Sequence, residues 1–127
     1  MIHHLSFSVA NIARAAAFYD AILAPLGYRR VYDSDNFIGY GTEDGKDKFA
    51  IWETPEKVVA PARGFHLAFA APSREAVNGF YEAAVGHGGK DRGAPGLREN
   101  YGPHYFAAFV IDPDGYHIEA VNNELPE

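Results

Sequence analysis

Two histidines in this 127-residue chain stand at matching places. His4 opens the run His4-Leu5-Ser6-Phe7-Ser8, and His66 opens His66-Leu67-Ala68-Phe69-Ala70, an offset of 62 residues. Glu119 lies inside the apolar run Tyr116 to Val121, where an unpaired carboxylate would be costly. Imidazole nitrogen with carboxylate oxygen is a donor combination suited to a divalent ion such as Zn, Ni, Co, Mn or Fe(II). The chain has no cysteine, so thiolate ligation, a cysteine nucleophile and disulfides are excluded. Each residue also has a plainer reading. A histidine at a strand start often only hydrogen-bonds at the surface, and a glutamate near a terminus is often solvated.

The elements that must position these residues come as a repeat. At the same offset, Phe18-Tyr19-Asp20-Ala21 falls on Phe80-Tyr81-Glu82-Ala83, and Gly27 on Gly89. Each copy opens with an alternating strand. Leu5, Phe7 and Val9 share one face, as do Phe65, Leu67 and Phe69; the opposite faces carry a histidine followed by small residues. The bulky face calls for a covering helix, and the small face leaves room for a cavity. Asn11 caps a helix with Ile12, Ala15, Ala16, Tyr19, Ile22 and Leu23 at helical spacing, ended by Pro25 and Gly27. Ser73 caps a second with Val77, Phe80, Tyr81, Ala84 and Val85, ended at Gly86-His87-Gly88-Gly89.

Strands then follow over Tyr28 to Tyr32, Phe37 to Tyr40 and Phe49 to Glu53, and later over Tyr105 to Ile111 and Tyr116 to Val121. Gly89 to Pro103 reads as irregular, and Thr54 to Gly64 as the link between modules. The pattern is one domain over residues 1–127, built from two β-α-β-β-β modules of about 1–54 and 64–123. A module of about 60 residues buries too little surface to be secure alone, so the two should pack together.

The paired modules, the Phe-Tyr pair in each helix and the ending Asp112-Pro113-Asp114-Gly115-Tyr116-His117-Ile118-Glu119 resemble the vicinal oxygen chelate superfamily. This superfamily holds glyoxalase I, fosfomycin-resistance transferases, bleomycin-binding proteins, methylmalonyl-CoA epimerase and extradiol dioxygenases. The resemblance spans His4 to about Asn122. It implies an α+β fold whose two sheets curve around a shared cavity, with metal ligands on the first and last strands of each module. Carried over, His4, His66 and Glu119 match three ligand positions, and the fourth falls on Glu53, at an offset of 66 from Glu119. The metal would then act as a Lewis acid toward neighbouring substrate oxygens. Glu119 or Glu53 would move the proton in glyoxalase-type lyase or isomerase chemistry. Without Glu53, the set His4, His66 and Glu119 looks more like the thiol-transferase or dioxygenase arrangement. The metal-free alternative is a ligand-sequestering protein of the bleomycin-resistance type. Many members form dimers, so a homodimer is expected.

Around the long irregular stretch, Arg98, Asn100, Tyr101, His104 and Tyr105 are candidates for a pocket rim, and His117 shares the Glu119 face. Arg98 has the chemistry to pair with a substrate carboxylate or phosphate. Trp52, on the face opposite Glu53, reads as core. Apolar residues make up 47% of the chain, enough for a packed core, and the net charge of −6 argues against a nucleic-acid partner. No run reaches membrane-spanning length, and the expectation is a cytoplasmic protein with a small-molecule substrate.

Overall fold

The computed structural model describes residues 1–62 and 64–126. Module one runs β1 (Leu5–Val9), α1 (Ile12–Leu23), β2 (Arg29–Asp33), β3 (Phe37–Gly41) and β4 (Phe49–Glu53), with a short 3-10 turn Ala24–Leu26 after α1. Module two runs β5 (Leu67–Ala70), α2 (Arg74–Gly86), β6 (Lys90–Leu97), β7 (Phe106–Ile111) and β8 (His117–Asn122). The two sheets have one plan, β1-β4-β3-β2 and β5-β8-β7-β6, with the first and last strands of each module parallel neighbours. The expected α+β architecture of two β-α-β-β-β modules is the one observed.

Strand parity builds the core. Val9, Ile38, Phe49 and Ile51 of sheet one face α1, and Phe69, Val110, Ile118 and Ala120 of sheet two face α2; all are buried. Both helices start where their caps dictate: the Asn11 side chain accepts from Arg14 N–H, and that of Ser73 from Ala76 N–H. Gly27 supplies the left-handed residue that ends the turn after α1. One helical residue departs from its expected place, since Val85 is exposed at the last turn of α2.

The modules meet through α1 against α2 and through the turn before β8. The Tyr116 ring stacks on Phe7 at 3.8 Å, and its hydroxyl donates to the Ser8 carbonyl at 2.7 Å. Buried Tyr19 on α1 donates to Asp112 Oδ2, while Asp112 Oδ1 accepts from the N–H groups of Asp114 and Tyr116. The Asp112-Pro113-Asp114-Gly115 turn thus clasps module two to module one. Its acidic residues are structural.

One strand lies where the composition reads as irregular. Lys90 to Leu97 forms β6, paired to β7 with register shifts on either side of Gly93. The Gly and Pro content that hides the strand is what its bulges require. Trp52 also departs from expectation: it pairs opposite Ser8 on the face turned away from α1 and stays 43% exposed. With Tyr32 and Phe37 it forms an aromatic ladder, with ring centroids 5.3 and 4.4 Å apart.

Candidate functional site

The helix-free face of sheet two brings two of the expected residues together. Ala68 pairs with Glu119, so His66, two residues earlier on the same face, lies diagonally beside it. His66 Nε2 stands 3.0 Å from Glu119 Oε1. Tyr105 reaches the same carboxylate from the loop before β7, its hydroxyl donating to Oε2 at 2.8 Å. Both oxygens of a side chain only 1% exposed are therefore engaged. Burial, then the hydrogen bond to Glu119, pushes the Tyr105 hydroxyl up to about 12, so it remains a donor at neutral pH.

These residues line an open pocket of about 640 Å³ with Arg92, Tyr101, Phe109 and His117. Of the residues expected from sequence, Tyr101, Tyr105 and His117 line it; Asn100 and His104 do not. Arg98 is not among the lining residues, but its guanidinium lies over the ring of one of them, Phe109. Arg92 escapes a sequence reading because it belongs to β6, which was not legible as a strand; Phe109 lies on a strand that was legible but was not singled out.

Module one contributes differently. His4 lies just before β1, exposed, its Nδ1 2.8 Å from that of His3. By parity it shares the helix-free face of sheet one with Ser6 and Ser8. The register corrects the position of Glu53. Ser6 pairs with Ala50 as Ala68 pairs with Glu119, so Ala50 is the counterpart of Glu119. Glu53 pairs with Val9, three residues further on and on the helix side, where its Oε2 accepts from Ile12 N–H at 2.7 Å. Glu53 is a helix-start residue, held by an N–H group and by the positive end of α1. Replacing it with alanine is expected to cost about 1 kcal/mol in denaturant unfolding, as lost caps do, with no change in divalent-ion binding.

Among the described residues no group of three or more His, Asp or Glu side chains converges on one point. The donor chemistry of His66 and Glu119 fits a divalent ion; their number within a single chain falls short of a complete site.

The chain matches the model of the Glyoxalase/Bleomycin resistance protein/Dioxygenase superfamily over residues 1–120. A glyoxalase/bleomycin resistance protein from Albidiferax ferrireducens T118 is similar at 28% identity and TM-score 0.79, covering 93% of this chain and 94% of that one. The fosfomycin resistance protein FosX from Mesorhizobium loti shares the fold at 20% identity and TM-score 0.66, covering 96% and 91%. A glyoxalase I mutant from Zea mays shares it at 18% identity and TM-score 0.68; the alignment covers 94% of this chain and 46% of that longer one. No protein of curated function matches the chain in sequence. No helix among the described residues is long and apolar enough to cross a membrane. Two four-stranded sheets of one topology, a histidine and a buried glutamate together on the second, and the match over 120 residues have one reading: the chain belongs to the glyoxalase/bleomycin resistance/dioxygenase superfamily.

Proposed function

We propose that the protein is a metal-dependent enzyme acting on a small oxygenated molecule, with His66 and Glu119 as two donors to a divalent ion. The observation that carries this reading is the 3.0 Å contact of His66 Nε2 with the buried Oε1 of Glu119 on a pocket wall. A homodimer would complete the set if His4 of the partner subunit were presented across from them. Two imidazoles and one carboxylate leave open positions for substrate oxygens. A divalent ion there would supply Lewis acidity toward two neighbouring substrate oxygens.

The chain's own residues have defined tasks. Tyr105 fixes the carboxylate through Oε2, which leaves Oε1 aimed at His66. Tyr101 and His117 flank the space in which a substrate would sit. With Ala50 at the place of a second carboxylate, no detachable glutamate is at hand to shuttle a proton. That favours addition to an electrophilic substrate, of the transferase kind, over the isomerase reading. The test is equilibrium metal binding to purified protein with His66→Ala and His4→Ala. Both variants should lose affinity, and retention of full affinity by His66→Ala would overturn the assignment.

A second reading, metal-free sequestration of an aromatic ligand, draws on the Tyr32–Phe37–Trp52 ladder. Trp52 is the chain's one tryptophan, so its emission reports on that face alone. Quenching by planar aromatic compounds, together with an absence of metal binding, would favour sequestration. A blue shift on raising protein concentration alone would instead mark a second copy covering the ladder.

A further inference from the structure

We infer that the substrate carries an oxyanion, a carboxylate or phosphate-type group, which Arg98 holds about three bonds away from the carbon bearing the oxygens bound beside His66 and Glu119. The inference rests on the proposed site for the identity of the reacting end. The observations behind the anionic end are separate.

One row of residues crosses sheet two from edge to edge: Ala68 on β5, Glu119 on β8, Phe109 on β7 and Gly93 on β6. At the fourth place there is no side chain, and the guanidinium of Arg98 occupies it. A Cβ added to Gly93 would meet Arg98 Nη2 at 3.1 Å, and one added to Gly96 would meet Nη1 at 3.0 Å. Two glycines therefore keep open the trough that the guanidinium occupies. Its Cζ stands 5.3 Å from the centroid of the Phe109 ring, and Nη2 donates to the Ala94 carbonyl at 2.7 Å.

A guanidinium has five N–H donors, and these contacts give only one of them a hydrogen-bond acceptor. Among the described residues no carboxylate pairs with Arg98, in a chain with 17 acidic and 11 basic residues. Arg29 and Arg30, by contrast, hold aspartates at 2.6 and 2.7 Å. A half-buried, fixed and uncompensated fork next to a pocket-lining ring is matched to a planar anion. Neighbouring strands lie about 4.8 Å apart, which puts the β6 trough about 10 Å from Glu119 across Phe109. Allowing about 3 Å for a polar contact at each end leaves about 4 Å for the substrate's spacer, which would lie on the Phe109 ring. Arg92, exposed on the same strand and lining the pocket, adds to the positive field without a trough of its own.

The probe is 5-hydroxy-4-oxopentanoate, with neighbouring hydroxyl and keto oxygens and a carboxylate two methylenes away. Its methyl ester is the neutral counterpart, and a phosphonate in place of the carboxylate shows which oxyanion is preferred. Each is titrated into metal-free protein by calorimetry and amide NMR. The acid should bind about tenfold more tightly than the ester, perturbing the amides of Gly93, Gly96 and Phe109. Arg98→Gln should bring the acid down to the ester's affinity and leave the ester unchanged. Arg98→Lys should retain part of the preference, and Glu119→Gln should strengthen acid binding by removing a nearby negative charge. Equal affinity for acid and ester, an unchanged preference in Arg98→Gln, or no binding of the acid at millimolar concentration overturns the inference. A protein that prefers the acid yet binds no divalent ion would refute the metal reading alone.

Discussion

Glu119→Gln is expected to weaken divalent-ion binding at least about 100-fold, the upper end of what loss of an outer-shell partner causes, while stability changes by no more than about 1 kcal/mol. The two parts of this expectation have different causes. Glutamine has the shape of glutamate, and its amide oxygen still accepts from the Tyr105 hydroxyl that now donates to Oε2. Its amide NH₂ would face His66, whose exposed ring can present an unprotonated Nε2 instead. Packing between Ile118 and Ala120 is preserved. What is lost is the negative charge and a strong oxygen donor, which a divalent ion requires. Calorimetric titration with Zn and Mn, paired with urea unfolding, separates the two effects. An affinity that falls only in proportion to stability would mean that Glu119 is a structural acid. Tyr105→Phe should fall between: it leaves the Oε2 of a buried carboxylate without its donor, and should weaken metal binding by about 10-fold through loss of orientation.

How much of this was legible without coordinates depended on whether the deciding interaction was local. The His66 face is fixed by alternation along β5, so histidine followed by small residues was readable as a cavity wall. Glu119 was readable for the same reason, as a charge within an apolar strand. Glu53 misled because parity within β4 does not give register against β1. Only the pairing Ser6 with Ala50 shows that an alanine stands where the second carboxylate was expected. The segment Lys90–Leu97 was hidden because its strand character comes from pairing to β7 and not from β-branched residues. Its two glycines, read as loop signals, are the floor under Arg98. Trp52 reads as core in any account that assumes a large aromatic is covered; on the helix-free face it stays 43% exposed.

The turn at Asp112 leads to the largest expected effect on the fold itself. Tyr19→Phe removes the hydroxyl that donates to Asp112 Oδ2, and both residues are buried. A hydrogen bond to a charged, buried acceptor is worth about 1.5–3 kcal/mol, and the carboxylate oxygen left behind has no replacement donor. In a domain of this size the loss corresponds to a fall in Tm of roughly 5–12 °C. The effect should depend on pH in a defined direction. Burial holds the Asp112 carboxyl above its ordinary value of 3.8, while the bonds from Tyr19, Tyr116 and Asp114 act to lower it. Without the tyrosine hydroxyl it must rise further. The native state then binds this proton more tightly than the unfolded state does, so the destabilisation is fully present above the folded value and is relieved as pH falls through it. The gap between wild type and Tyr19→Phe should be widest near neutral pH and narrow as pH falls through the raised folded-state value of Asp112. Tyr19 is held well above its ordinary value by burial first and Asp112 second, so it stays a donor throughout this window and adds no titration of its own. Urea unfolding of both proteins at several pH values between 4 and 7.5 measures the gap. A gap that is the same at every pH would show that the variant loses only packing, and that the turn is not held to α1 by a charged hydrogen bond. Because Asp112 and Glu119 lie on one turn and the strand that follows it, loosening the clasp should also weaken metal binding, but only to the extent that the fold is lost.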